Sequence, residues 1–412
     1  MAHSRFKSLL YLICVLADFS GFVVVFAVSR GLAEQNSELW YLGLTGAAFA
    51  GSSGIANVVS GWASHRFDSR YVFVAGAAIV ALAVVACGTG DTSSLWFLPR
   101  YCLLGVGLGT VYPTLIGWLN RDQDAHANRR GVSRTLILFC VSWNVGMMTG
   151  QMTSGSLFSV SPQLAFGVAF AVSVVNVLLA VAAARLVAAV IHDGFGEEER
   201  SHAGEPQPAV DPDHVRLAGR FKQISWVANL GGTFGGSLIF HLLPELAVSI
   251  GVPAHDHGGL LAYWRGVVIA TYLLMHFSEF WHYRMSTSIG SQLLGALGLL
   301  LIARAQSAVM LFIGLTLHGQ LVGYNYFSGL FYSTAGSSQD RRTMAAGIHE
   351  ATLAIGMSSG TVLGGFLGSQ YGARSPWILA AGVLVFLVGL QAYAWRRWQT
   401  AMRQEVVPAA GK

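Results

Sequence analysis

Asp18 stands inside the stretch LLYLICVLADFSGFVVVFAV, where every near neighbour is apolar or uncharged. An ionised carboxylate in hydrocarbon costs several kcal/mol unless it is paired or hydrated, and chains keep one there chiefly to face a cavity or carry a proton or cation. The bland alternative is a neutral acid hydrogen-bonded between helices. A second polar set, His318, Gln320, Tyr324 and Asn325, interrupts another apolar stretch. Positions 318, 321, 325 and 328 fall on one helical face, so His318 and Asn325 share it. An imidazole can hold a proton near neutral pH or hydrogen-bond a solute, and it can equally pack against a neighbouring helix. Asn229 and Asn144 are amides at similar depth. Asn229 joins the solute and proton group with Asp18, His318, Gln320, Tyr324 and Asn325, whereas Asn144 reads as helix-packing glue.

Other chemistry is poorly served. His276, Glu279 and His282 follow an i, i+3, i+6 spacing, which spreads them over roughly 9 Å of helical rise, too far for one ion. His255-Asp256-His257 reads as a solvated outer turn. No phosphate-cradling G-x4-G-K-[ST] occurs. The expectation is therefore no metal, no cofactor and no enzyme, with energy drawn from an ion or solute gradient.

These residues need elements that can hold them in lipid. Hydrophobic residues make up 53% of the 412, charged ones only 11%, and there are 49 glycines. Such a chain cannot present an ordinary charged surface to water. Spans of roughly 20 apolar residues are read at 7–29, 40–62, 71–90, 95–119, 132–157, 163–190, 223–248, 259–281, 285–303, 306–333, 344–369 and 376–395. The predicted class is an all-α membrane protein. Cys14, Cys87, Cys102 and Cys140 fall inside spans without paired spacing, as small packing residues. The net charge of +5 comes from Arg and Lys gathered in alternate loops, such as Arg129-Arg130 and Arg341-Arg342. That bias fits membrane orientation rather than nucleic acid, with both termini cytoplasmic in a bacterial inner membrane. Arg100 and Arg265 are placed near the outer ends of spans four and eight, snorkelling to water. With no Lys or Arg at the midplane, a neutral or cationic solute is expected.

The chain repeats itself. Residues 192–222 are polar and Pro-containing, a cytoplasmic linker between a first bundle at 1–191 and a second at 223–397, with a tail at 398–412. Ala17-Asp18-Phe19-Ser20-Gly21 matches Ala228-Asn229-Leu230-Gly231-Gly232. Gly146 and Gly150, with Gly155, match Gly356 and Gly360, with Gly365. Small residues four apart let helices approach closely. Gly109 to Tyr112 matches Gly323 to Tyr326, and the two tyrosines read as interfacial belt residues or, alternatively, as gates of the cytoplasmic side. Two equivalent six-helix bundles form a parallel repeat, with a solute site expected between them.

Gly61-Trp62-Ala63-Ser64-His65-Arg66-Phe67-Asp68-Ser69-Arg70 resembles the loop signature G-x-x-x-D-R-x-G-R-[KR] of the major facilitator superfamily. Gly61, Arg66 and Arg70 match; His65 replaces the signature Asp and Asp68 the second Gly. Arg100-x4-Gly105-x-Gly107 is similar to the family pattern in span four. The resemblance implies twelve transmembrane helices in two bundles and alternating access. It makes Gly61, His65, Arg66, Asp68 and Arg70 a conformational switch, with Glu350 in reach of Arg66. The function so implied is secondary active transport of a small organic solute by a monomer, proton-coupled through Asp18, with efflux favoured. The alternatives are an uncoupled uniporter, a proton symporter for a polar metabolite, a His/Glu membrane metalloenzyme and a transporter-like sensor.

Overall fold

A computed structural model describes residues 2–120, 129–194, 212–337 and 342–406. Its helices are α1 (Ala2–Glu34), α2 (Leu39–Arg66), α3 (Ser69–Gly88), α4 (Phe97–Asn120), α5 (Arg129–Val160), α6 (Pro162–Gly194), α7 (Pro212–His241), the short α8 (Leu243–Ser249), α9 (Ala254–His276), α10 (Met285–Ala303), α11 (Ala308–Ala335), α12 (Arg342–Tyr371) and α13 (Ser375–Val406). Lipid offers the backbone no hydrogen bonds, so each crossing segment must satisfy its own as a helix. The segment expected as a linker is helical at both ends, to Gly194 and from Pro212.

Among the described residues, nine helices combine the length and hydropathy needed to cross a membrane. The long helices below that hydropathy are α5, α7 and α11. Their polar residues point inward: Asn144, Gln151, Asn229, Ser237, His318 and Asn325 are all buried. Twelve long helices thus form two bundles, α1–α6 and α7 with α9–α13. Breaks between them have local causes. Gly251 adopts φ +75° and Pro253 sits at the N-cap of α9, and Gly372, at φ +86°, ends α12; glycine occupies this left-handed region without steric cost.

Glycines set how the bundles pack inside and against each other. A methyl on Gly146 would stand 2.8 Å from Asp18 Cβ, and one on Gly150 2.6 Å from the Phe19 carbonyl oxygen. In the second bundle Gly356 abuts Leu230 and Thr233 of α7, and Gly360 abuts Phe234 and Ser237. Gly146 also abuts the Val15 carbonyl, so Val15 corresponds to Leu230 and Phe19 to Phe234. The counterpart of Asp18 is then Thr233. The residue match to Asn229 was one helical turn early, a slip that keeps a residue on nearly the same face.

Between bundles, Gly155 of α5 meets Gly258 of α9, and Gly365 of α12 meets Gly43 of α2. Both crossings lie on the side away from the chain termini, called here the far side. From there the α2/α12 seam runs through Gly46 against Thr361, Gly51 against Ser358 and Gly54 against Ala354. Beyond it the helices part: Gly61 and Gly347 have nothing within 4 Å of where a Cβ would stand. Val58 and Met344 are 70% and 60% exposed there. The described helices are closed on the far side and open toward the terminal side.

Candidate solute and proton site

Asp18 lies in the middle of α1, 1% exposed. The Tyr112 hydroxyl of α4 donates to its Oδ2, and the Cys14 thiol lies 3.9 Å from the same oxygen. A matching pair exists in the other bundle, where the Tyr326 hydroxyl of α11 donates to Glu350 Oε1 of α12 at 3.0 Å. Neither tyrosine is a belt residue. Each caps a carboxylate, one in each bundle, and Tyr326 also meets the Trp143 ring of α5 across the bundle interface at 5.3 Å.

Arg265 overturns the expectation of a midplane without basic residues. A span eight at 259–281 puts it near a helix end. The helix instead runs Ala254–His276, since the Pro253 N-cap starts it earlier, and Arg265 falls at its centre. His255-Asp256-His257 correspondingly forms its first turn: His255 and Asp256 are exposed as expected, but His257 is fully buried against the Phe26 ring at 5.1 Å. Arg265 is 3% exposed. Its Nη1 donates to Asn144 Oδ1 across the interface at 3.1 Å, so Asn144, expected as packing glue, is also the partner of a buried cation. The guanidinium lies over the rings of Trp264 at 4.2 Å, Phe240 at 4.6 Å and Trp143 at 5.8 Å. It is also within electrostatic range of Asp18.

The remaining sequence candidates do not gather around Asp18. Asn229 donates to Thr352 Oγ1 of α12 at 3.0 Å. Gln320 is tied to α10, accepting from Ser291 Oγ and donating to the Ser291 carbonyl, both at 2.9 Å. Tyr324 shares a hydrogen bond with Thr287 Oγ1 at 3.0 Å. These three join helices within the second bundle. His318 and Asn325 do share a face, but it packs on α7: Asn325 donates to the Ala228 carbonyl at 2.7 Å, and a methyl on Gly235 would stand 2.7 Å from His318 Nε2. Neither ring nitrogen of His318, nor Asn325 Oδ1, has a hydrogen-bond partner.

The loop resembling the family signature is ordered by its own charges. Asp68 caps α3, accepting from the Arg70 amide at 2.9 Å, while the Arg70 guanidinium grips both carboxylate oxygens. That grip holds the Asp68 carboxyl below its ordinary range. Arg66 lies over the Trp62 ring at 5.6 Å, so the partner of Glu350 is Tyr326 rather than Arg66. His65 belongs to α2, with its side chain outside the described residues.

Far from the termini a second polar set fastens the bundles. Arg30 Nη2 donates to the Val252 carbonyl at 3.0 Å while its Nε is paired with Glu34 at 2.7 Å. Ser29 Oγ lies 3.3 Å from His241 Nδ1, with the Phe22 and Phe240 rings 5.0 Å apart beside them.

Two six-helix bundles enclosing buried charges at their interface define the fold of major facilitator transporters. The solved structures agree. The nucleoside transporter NupG superposes with a TM-score of 0.65 at 16% identity, covering 95% of this chain and 99% of its own. A bacterial homologue of the human lysosomal transporter Spinster, inward-facing and occupied, gives 0.70 at 14%, covering 95% and 97%. The human organic anion transporter MFSD10 gives 0.63 at 16%, covering 94% and 99%. No protein-family profile matches the chain, and no curated protein matches it in sequence.

Proposed function

We propose that this protein is a secondary active transporter that moves a small organic solute across the membrane by alternating access, coupled to protons through Asp18. The observation that carries the reading is a buried, tyrosine-capped carboxylate beside the bundle interface of a two-bundle fold that is closed on one side and parted on the other. A carboxylate at this depth is retained at an energetic cost, and proton or ion pathways are where such residues concentrate. Two bundles rocking about a central site give it alternating contact with the two sides. We place the chain in a cell inner membrane with the side of both termini cytoplasmic, on the loop charge bias, and take it as a monomer because one chain supplies both bundles.

The test uses purified protein in liposomes enclosing a pH dye, with cationic, neutral and anionic solutes added outside and Asp18→Asn compared. Solute-driven proton movement that disappears in Asp18→Asn is the expected result. Solute flux without proton movement, unchanged in the variant, makes the protein a uniporter and Asp18 a packing residue.

A further inference from the structure

Arg265 is a buried cation whose guanidinium pairs with an amide rather than a carboxylate. Unpaired burial of a charge costs several kcal/mol, and the Asn144 amide and three aromatic faces offset only part of that. Its Nε has no partner, nor has Nε1 of the adjacent Trp264. It stands at the centre of α9 with groups from both bundles around it: Trp143 and Asn144 from α5, Phe240 from α7. Tyr326, held by Glu350, meets Trp143 nearby.

We propose that Arg265 recognises the anionic group of a ring-bearing organic acid, and that the acid travels in the same direction as a proton. This rests on the transporter reading above and replaces the neutral or cationic solute and the efflux expected from sequence. A guanidinium binds a carboxylate with strong, directional hydrogen bonds, and the Trp143, Phe240 and Trp264 rings gathered around it make an aromatic surround that a ring-bearing acid would meet.

The coupling follows from counting charge. Asp18, Glu350 and Arg265 are the strongly acidic and basic groups at the centre among the described residues. The groups facing them are hydroxyls, the thiols of Cys14 and Cys140, the Asn144 amide, aromatic rings and two buried imidazoles, His318 near Arg265 and His349 against Tyr326, which the count takes as neutral. A low-dielectric centre disfavours net charge. The trio is electroneutral when one carboxyl is protonated. Adding one carboxylate anion at Arg265 restores neutrality only when the second carboxyl also takes a proton, so each bound anion brings one proton with it. A cationic solute would expel a proton and give antiport.

The test measures thermal stabilisation of the purified protein, and proton entry into liposomes, with benzoate, benzamide and benzylamine, in wild type, Arg265→Gln and Arg265→Lys. Benzoate alone should stabilise the wild type and drive proton entry. Arg265→Gln should bind it about tenfold more weakly or worse, the size of losing one charge-assisted hydrogen bond. Arg265→Lys should retain part of the effect, which shows that charge rather than folding is at issue. Stabilisation by benzylamine, an unchanged benzoate response in Arg265→Gln, or no response to benzoate overturns the proposal. Benzoate stabilisation lost in Arg265→Gln with no flux of any solute keeps the anion site and removes transport. Proton-coupled flux of benzylamine does the reverse.

Discussion

Asp68 both starts α3 and pairs with Arg70, and the two roles can be separated. Removing an N-cap side chain costs about 1 kcal/mol, whereas an exposed ion pair adds little. Asp68→Ala should therefore lower the melting temperature in detergent at neutral pH, and Asp68→Asn, which can still cap, should recover most of the loss. An Asn variant as weak as Ala would place the effect in the ion pair. The folded carboxyl titrates below its unfolded value of about 3.9, so its contribution is fully present above that pH and disappears as pH falls through the lower folded value. Wild type and Asp68→Ala should converge only in that acid range and stay apart from pH 5 to 8. At this scale legibility was uneven. Asp18 stood out because a carboxylate amid valines and phenylalanines is costly and rare, whereas Arg265 was hidden by an error of five residues in where its helix begins. The tyrosine caps carried no signal, since an aromatic near a helix end is usually an interfacial residue.

At the level of helices, glycine contacts and reciprocal polar pairs fix the packing. Gln292 of α10 and Gln391 of α13 exchange hydrogen bonds at 3.0 and 2.9 Å, both buried. Hydrophobic attraction between helices is weak in lipid, so such a pair and close small-residue packing supply the association. Gln292→Leu should lower unfolding stability by roughly 0.6–1.7 kcal/mol and strand the Gln391 amide. The double variant Gln292→Leu/Gln391→Leu should recover part of it, because no buried polar group is then left unpaired. A double variant worse than the single one, by denaturant titration in detergent, would assign the loss to shape instead. The helices themselves were legible: span nine, 285–303, coincides with α10, and the glycine repeats Gly146/Gly356 and Gly150/Gly360 occupy corresponding contacts. Register between repeats was less legible, because a four-residue shift leaves a helical face almost unchanged and Asn229 resembles Asp18 chemically more than Thr233 does.

The whole molecule was readable as two bundles because lipid permits a chain so poor in charge few other solutions. Which side is closed was not readable, since the same residues must serve both states. The far-side crossings offer a way to move the balance. A methyl on Gly155 would stand 2.7 Å from the Ala254 carbonyl oxygen and 2.8 Å from Gly258 Cα, so Gly155→Leu cannot keep this crossing. Labelling of Val58→Cys by a membrane-impermeant maleimide reports the terminal-side opening. We expect Gly155→Leu to slow that labelling, and unchanged labelling would mean the crossing does not control the opening.

The α2/α12 seam has a mechanical consequence. Gly43, Gly46, Gly51 and Gly54 present a low rail to α12, entered at these positions only by the short side chains of Thr361, Ser358 and Ala354. From Gly43 to Arg66 the helix is a lever of about 35 Å, so a tilt of about ten degrees swings its terminal end by about 6 Å. A bearing with such shallow notches offers little resistance along most of that swing. The resistance that makes the two ends of the stroke distinct must then reside in fastenings off the rail: Arg30 on the Val252 carbonyl and Ser29 on His241 at one end, and the charges around Asp18, Glu350 and Arg265 at the centre.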